Sequence, residues 1–368
     1  MSMQSHIEDR RGTIVWEKVQ ERIVDVLKKT LGIMVFEAIC PEYDFSDETI
    51  QTIVGILDTN KKEIRLAFTD VEAVYATACL MEHNCQPNVK LNFAKDFMIT
   101  VVAGRDIAEG EHISTMYTHA LWGTIARRDH LHLYKQFWCT CKRCADPTEF
   151  GTNFSTLLDN GHPMLPEDPL NSESDWICEK TGKVKTAQEV KIELTKIGQE
   201  LEMIQTKGIV DDIEQFIESH SKELHPNHYH MVTAKHNLLQ MYGRTEGYLI
   251  QDMTEEQLNR KIDLCKENLE ILSKIDPHMI RLEVYSAAAH FELHLPQLQL
   301  AKRSWETGKL STEEFRERLK EPHSSVLKAI ELLKEEGNDL LPEGQLLLQA
   351  RDTLTQLEGF MKTVGCQF

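Results

Sequence analysis

Three cysteines lie within six residues of one another, in the segment Cys139-Thr-Cys141-Lys-Arg-Cys144. Thiolates at this C-x-C-x2-C spacing can converge on one tetrahedral Zn2+, which takes four protein ligands in a structural site. Cysteine is too rare for such clustering to be expected by chance, so the segment predicts a zinc loop whose fourth ligand comes from elsewhere in the chain. We expect that ligand to be Cys85. The alternatives are Cys79, Cys178 and His83.

The remaining cysteines do not indicate a disulfide framework. The chain has nine cysteines, an odd number, and its first residues are polar and charged rather than the apolar core of a secretion signal. No apolar run approaches the roughly 18 residues that a membrane span requires. We therefore expect an intracellular protein, cytoplasmic or nuclear, with no membrane partner.

The charge balance bears on the partners of the protein. Asp and Glu number 59 against 41 Lys and Arg, which gives a formal net charge of −18. Phosphate contacts need clustered Lys and Arg, so we expect no direct nucleic-acid partner. An acidic surface suits basic protein segments such as Lys-rich peptides. With 368 residues, the chain is long enough for two or three domains.

The segments around the cysteines are predicted to be helical at first, then β-rich, then helical again before a loop. Apolar spacing predicts a helix over about 15–30 that ends at Gly32, and a second helix that begins at the Ser46 cap and reaches about Leu57. Two β-rich runs, VKLNF and FMITVVA, follow, separated by a turn at 94–96. The helical stretch TIARRDHLHLYKQF then leads into the zinc loop. Pro, Gly, Asn and Asp are frequent in 146–172, which predicts an ordered loop or linker.

From about residue 187 onward, one helical segment follows another. Prolines are expected between these helices, where helices start or stop. The pattern predicts antiparallel helix pairs of the TPR-like kind, although no strict repeat of about 34 residues is present. A plain helical bundle is the alternative. The prolines in question are Pro226, Pro277, Pro296, Pro322 and Pro342.

Three motifs in order carry a family resemblance. The run from Tyr75 to Asn88, with its core Glu82-His83-Asn84-Cys85-Gln-Pro-Asn, resembles the SET-domain segment N-H-S-C-x-P-N. Arg105-Asp-Ile-Ala-Glu-Gly-Glu, leading to Tyr117, resembles the second SET motif, and Phe137-Trp-Cys139-Thr-Cys141 resembles the start of a post-SET zinc loop. With a helical tail behind them, the motifs resemble the SET-and-MYND (SMYD) family, and PTEFGT and LPEDPL are similar to its arthropod SmydA-type branch.

The resemblance implies an α+β fold, with a partial β-rich SET core and post-SET zinc loop followed by an all-α TPR-like C-terminal domain. We expect four regions, bounded as follows: a helical SET-insert region at 1–58, the C-terminal half of the SET domain with the zinc loop at 59–145, a linker loop at 146–186, and the helical domain at 187–368.

The resemblance also implies a reaction and the residues that perform it. SET-domain relatives transfer a methyl group from S-adenosylmethionine to a lysine amine of a protein or peptide, in some cases a histone. By motif position, Tyr117 would be the catalytic tyrosine. The residues that would touch the cofactor are Asn60, Glu82, His83 and Phe137. Without the motifs, Tyr117 and Phe137 could equally be core aromatics and Asn60 a helix cap.

Several positions depart from the family pattern. Glu82 stands where the family has an asparagine, and an acid near a carboxylate-bearing cofactor opposes its binding. Lys62 and Lys135 stand where aromatic residues are expected. The sequence shows no G-x-G near residue 1 and no MYND cysteine array, so we expect the N-terminal SET strands and the MYND module to be absent.

Two hypotheses from different classes follow. The first is a S-adenosylmethionine-dependent protein-lysine methyltransferase family member whose activity is impaired in this chain. The second is a catalytically inactive zinc-binding adaptor that binds protein partners through its helical domain.

Overall fold

The computed structural model describes residues 3–66 and 69–366. The N-terminal region is helical, and the helix predicted over 15–30 is confirmed, although it ends at Lys29 and passes through a π-helical stretch, Gln20–Val24. Gly32 does not end it but lies within a further helix that the sequence analysis missed. The helices are α1 (Ile7–Arg10), α2 (Ile14–Val19), α3 (Asp25–Lys29), α4 (Leu31–Ile39) and α5 (Asp47–Asn60).

Helix α5 begins where its cap was predicted. The Ser46 hydroxyl accepts a hydrogen bond from the Thr49 N–H at 3.2 Å, which satisfies one of the free donors of the first turn. The helix continues to Asn60, three residues beyond the predicted end at Leu57. Its buried face, with Ile50 and Val54, packs against the preceding helical segment.

Three short strand pairs follow, and the predicted hairpin is confirmed. Strands β4 and β5 pair antiparallel around the turn at 94–96, β1 pairs antiparallel with β2, and β3 pairs parallel with β6. The strands are β1 (Lys61–Arg65), β2 (Asp70–Val74), β3 (Glu82–His83), β4 (Val89–Phe93), β5 (Ile99–Ala103) and β6 (Ser114–Thr115).

The cysteine-rich segment follows helix α6 (Thr124–Lys135) and runs into helix α7 (Lys142–Ala145), which contains Cys144. The region 146–186, predicted as a linker loop, instead contains a four-stranded antiparallel sheet in the order β10-β9-β8-β7. Its strands are too short for an alternating pattern to stand out, but Asn160-Gly161, both with positive φ, is a typical hairpin turn. The strands are β7 (Leu157–Asp159), β8 (His162–Pro166), β9 (Trp176–Ile177) and β10 (Val184–Lys185).

The C-terminal region is helical, as predicted, and together with the small sheets it confirms the α+β class. Pro296 lies inside α12 rather than between helices. The TPR-like pairing remains a prediction. The helices are α8 (Ala187–Lys207), α9 (Val210–Ser219), α10 (Tyr229–Met241), α11 (Glu255–Ile275), α12 (Glu283–Glu306), α13 (Thr312–Arg318), α14 (Lys320–Leu332) and α15 (Pro342–Thr363).

The helical domain supports the cysteine-bearing half of the molecule through a shared core. Leu131 and Phe154 from the first half pack in one buried cluster with Val232, Leu272 and Leu282 from the helical domain. Polar contacts reinforce this junction. The Tyr285 hydroxyl lies 2.9 Å from His119 Nε2, and the buried Asn338 amide donates to the carbonyls of Phe93 and Ala94 at 3.0 and 3.1 Å.

Because Asn338 bridges the helical domain to the tip of the β4–β5 hairpin, Asn338→Ala should loosen that hairpin locally. Losing two partly buried hydrogen bonds costs about 1–3 kcal/mol, so hydrogen exchange in 89–103 should accelerate markedly. Mass spectrometry of peptides after deuterium labelling measures this. Asn259→Ala, on the exposed face of α11, is the control. Equal exchange in both variants would contradict the bridging role.

Candidate active site and metal centre

The structure brings Cys85, Cys139, Cys141 and Cys144 together. Their four Sγ atoms all lie within 4.8 Å of one another, with Cys85 Sγ 3.9 Å from Cys139 Sγ and 3.5 Å from Cys144 Sγ. Tetrahedral Zn–S bonds of about 2.3 Å require sulfur atoms about 3.8 Å apart, so these separations fit the ion. The cluster can therefore hold a metal ion.

The alternatives for the fourth thiol are separated from this cluster. Cys178 is buried in the core formed by the four-stranded sheet and α8. The Cys79 thiol instead donates to the Ala76 carbonyl at 3.1 Å. Among the described residues, the cluster of potential metal ligands contains Cys85 and neither of these two.

His83 touches the cluster without being part of it. Its Nδ1 accepts a hydrogen bond from the Tyr117 backbone N–H at 3.0 Å, so the ring proton must lie on Nε2, which is 3.3 Å from Cys85 Sγ. Burial lowers the pKa of His83 to about 4, so the imidazole is neutral at pH 7. His83 therefore donates to the sulfur and positions Tyr117 through its other nitrogen.

Two motifs are joined by the parallel pair β3–β6, and this pairing brings His83 and Tyr117 together. His83 lies opposite Thr115 in the register, two residues before Tyr117. The buried Asn88 locks the register, because its Oδ1 accepts from the Ser114 N–H at 2.8 Å and its amide donates to the His112 carbonyl at 2.9 Å. The final asparagine of the first motif thus holds the second motif in place.

Tyr117 is partly buried against His83, with ring centroids 5.3 Å apart, and its hydroxyl donates to the Met81 carbonyl. Burial, together with the nearby Glu82 and Cys79, raises the pKa of Tyr117 to about 12. The phenol is therefore protonated at neutral pH. Phe137 also contacts His83, with ring centroids 5.8 Å apart, so the three rings form one aromatic site.

The other two predicted cofactor residues lie in different surroundings. The amide of Asn60 donates to the carbonyls of Ile56 and Gln4 at 2.7 and 2.9 Å, so it completes the end of α5. Glu82 is exposed, with its carboxylate 2.6 Å from His112 Nδ1. Because neighbouring residues of a strand point to opposite faces, Glu82 and the adjacent His83 extend in different directions. That Asn60 and Glu82 contact a cofactor stays a prediction.

Two lysines meet at the ring of Tyr117. The Nζ atoms of Lys62 and Lys135 lie 4.7 and 5.8 Å from the ring centroid, within the range of cation–π contacts. Burial lowers the pKa of each amine to about 8. Lys135 also donates to the carbonyls of Asp58 and Thr59 at the end of α5, at 2.7 and 2.8 Å. The two lysines that depart from the family pattern therefore lie together at the predicted catalytic residue.

A buried charge cluster beside the thiols was missed from the sequence. Arg127 and Arg143 both contact Glu149 Oε2, at 3.0 and 2.7 Å, and all three side chains are at most 1% exposed. Arg127 also approaches Cys144 Sγ at 3.7 Å. Its position on the buried face of α6, in step with Thr124 and Leu131, is the one sequence pattern that could have revealed it. Four thiolates around a divalent ion would leave a net negative charge, which Arg127 would offset.

Burial alone would raise the pKa of Glu149, but the two guanidinium groups and the Ser155 hydroxyl hold it at about 2. Glu149 therefore remains ionised throughout the neutral range. Its φ of 48° places it in the left-handed region, which is uncommon for glutamate, so the surrounding structure fixes its conformation.

Comparison with known proteins gives a consistent assignment. Residues 10–118 match the SET domain family. The chain is similar to SET domain-containing protein SmydA-8, isoform A, of Drosophila melanogaster, at 29% identity over 63% of this chain and 51% of that protein. It is also similar to histone-lysine N-methyltransferase SET5 of Vanderwaltozyma polyspora, at 28% identity over 34% of this chain and 25% of that protein.

A further relative is N-lysine methyltransferase SMYD2 of Gallus gallus, at 35% identity over 20% of this chain and 16% of that protein. The chain spans about half the length of the SmydA-8 isoforms that it matches. The SET assignment and the SmydA-type resemblance made from the motifs are confirmed. In residues 3–66 and 69–366, no helix is both long and apolar enough to cross a bilayer.

Glu149→Gln should destabilise the fold, because it leaves two buried guanidinium groups without their counter-charge. We expect a loss of about 3–5 kcal/mol in the free energy of unfolding at pH 7, measured by urea titration. Since the pKa of the folded carboxyl is depressed, the difference from the wild type is fully present above pH 4.5 and shrinks as the pH falls toward about 2. Glu179→Gln, at an exposed position, should change stability little. A similar small change for Glu149→Gln would contradict the assignment.

Proposed function

We propose that this chain, a member of the SET-domain methyltransferase family of SmydA type, is an S-adenosylmethionine-dependent protein-lysine methyltransferase whose activity is impaired. The observation that carries this proposal is the aromatic site of Tyr117, His83 and Phe137. Each of the three motifs supplies one of these residues, and His83 contacts the thiol cluster at Cys85. The substrate would be a protein lysine, with histones among the candidates, in the cytoplasm or nucleus.

The site residues fit this chemistry. S-adenosylmethionine, when bound, supplies a sulfonium methyl group that a neutral lysine amine can accept. The Tyr117 phenol, protonated at neutral pH, offers an oxygen that can accept a hydrogen bond from the amine and orient it. The Met81 carbonyl, which accepts from the Tyr117 hydroxyl, fixes the direction of that oxygen. The rings of Tyr117 and Phe137 are partly buried, and a partly desolvated site favours the neutral amine.

The same site contains the reason for impairment. Two ammonium groups lie against the Tyr117 ring, where a sulfonium cation and a substrate lysine would both need to approach. Like charges in a partly desolvated site repel strongly because the local dielectric is low. Glu82, in place of the asparagine of the family, adds an acid on the neighbouring strand position.

We further propose that the thiol cluster binds one structural Zn2+. The donor set is four cysteines, which favours zinc over the oxygen-preferring cations. The ion would tie the loop at 139–144 to the segment at Cys85 and so fix His83, two residues away.

The second candidate is an inactive adaptor, and a specific surface favours it. Helix α4 exposes large apolar side chains, including Met34 at 62%, Phe36 at 58% and Ile39 at 69%. Contiguous exposed apolar side chains are typical of protein-binding surfaces. In this reading the zinc-bound core and the helical domain would serve partner binding, and the aromatic site would contribute packing alone.

Cys85→Ser should lower the zinc content of the purified protein from about one ion per chain to well below one, because a tetrahedral structural site loses one of its four ligands. Inductively coupled plasma mass spectrometry measures the metal. Cys79→Ser, at the nearby thiol outside the cluster, is the matched control and should keep its zinc. Zinc retained in Cys85→Ser, or lost in Cys79→Ser, would contradict the ligand assignment.

Calorimetric titration with S-adenosylmethionine tests the proposed reaction and its impairment. We expect a Kd weaker than about millimolar, because the lysine charges and Glu82 each oppose the ligand. Glu82→Asn should tighten the binding, whereas Glu179→Asn should not. Micromolar binding that is lost in Phe137→Ala would instead identify an unimpaired enzyme, and binding absent from every variant would favour the adaptor.

A further inference from the structure

Lys62 differs from the other lysines near the site in the contacts that its ammonium group makes with the described residues. Within the part of the chain that the structure describes, its ammonium group forms no ion pair or hydrogen bond, and its contact is the Tyr117 ring at 4.7 Å. Its strand neighbour Lys61 pairs with Glu72 at 2.8 Å. Lys135, on the same ring, is tied to two backbone carbonyls. A partly buried, unpaired ammonium group is unusual in a folded protein.

We propose that Lys62 fills the space over the Tyr117 ring through which an incoming substrate lysine would reach the Tyr117 hydroxyl, so that the chain carries its own competitor for the lysine site. This inference rests on the proposed function, because it assigns the Tyr117 ring to lysine recognition. Lys62 offers the same chemical group as the substrate, an amine on a four-carbon stem, and places it on the ring of the predicted catalytic residue.

The energetics favour an occupant that is easily displaced. The Lys62 side chain leaves strand β1 close to Tyr117, so its effective concentration at the ring is high without any binding from solution. A cation–π contact is a weak interaction, and among the described residues no ion pair adds to it. Because Lys62 is only partly buried, its stem can swing into water when a substrate lysine competes.

Lysine recognition can be tested with n-butylammonium, which reproduces the end of a lysine side chain and needs no cofactor. Lys62→Ala should open the position and bind this cation about tenfold more tightly than the wild type does, as judged by saturation-transfer NMR. The neutral analogue n-butanol should not gain affinity. The gain should vanish in the double variant Lys62→Ala/Tyr117→Leu.

Two matched variants show whether tighter binding in Lys62→Ala comes from the space that the side chain leaves or from the loss of one positive charge. Lys61→Ala removes a lysine from the same strand and should leave binding at the wild-type level, since Lys61 is paired elsewhere. Lys62→Met removes the charge but keeps the stem, so it should still block the position. Equal binding by the wild type and Lys62→Ala, or a gain of the same size in Lys61→Ala, would overturn the proposal.

A measurement on the unsubstituted protein does not depend on the folding of any Lys62→Ala variant. After labelling with lysine carrying 13C at the ε position, the Lys62 signal can be identified by its loss in Lys62→Arg. A methylene group over an aromatic ring shifts upfield, so this signal should lie upfield of the solvated lysines and move to the solvated position in Tyr117→Leu. A solvated position in the wild type would overturn the proposal.

A methyl-transfer assay tests the proposed function independently of the internal competitor. Lys62→Ala, mixed with S-adenosylmethionine and a lysine peptide, should methylate the peptide faster than the wild type does. If this variant binds n-butylammonium at Tyr117 but transfers no methyl group, the internal competitor stands and the methyltransferase proposal fails for this chain.

Discussion

The convergence of four thiols is the constraint on which the site depends. Cys85 must meet Cys139 and Cys144 across separations of 54 and 59 residues, and the intervening strands and helix α6 must fold so that this happens. Bringing such distant segments together costs chain entropy. Metal binding would offset this cost, because ligand binding to the folded state alone stabilises that state. The apolar core and the Arg127–Glu149 pair both pack around these thiols.

The aromatic site is an extension of this centre. His83 contacts Cys85 through one ring nitrogen and Tyr117 through the other, so the position of the tyrosine follows from the position of the thiols. Burial keeps the imidazole neutral, which is the state that both contacts require. A change in the position of the thiols should therefore shift Tyr117, although no part of the proposed reaction takes place at the metal.

In the proposed function, charge is the reason why this chain resembles the family but has impaired activity. The motifs preserve the rings, the backbone pairing and the thiols, all of which also stabilise the fold. Lys62 and Lys135 change what the finished site attracts, because cations already lie on the face of Tyr117. The helical domain then braces this arrangement, with Tyr285 bonded to His119 near the same core. The residues that stabilise this fold can therefore be present while the charges at Tyr117 oppose the proposed reaction.

The sequence by itself determined the features that depend on local patterns. The cysteine spacing predicted the thiol cluster, the Ser46 cap predicted the start of α5, and apolar periodicity predicted the helical tail. The ordered motifs identified the SET core. These succeed because spacing, capping and periodicity act over a few residues, where side-chain chemistry decides the outcome.

The tertiary structure alone decided what each of these side chains meets. It separated Cys79 from the thiol cluster, turned Asn60 toward the end of α5, and folded a sheet within 146–186 from strands too short to show a pattern. It also placed Lys62 on Tyr117, 55 positions along the chain, and buried Glu149 between two arginines. Such contacts arise from packing between distant segments, and no local propensity in the sequence specifies which segments will meet.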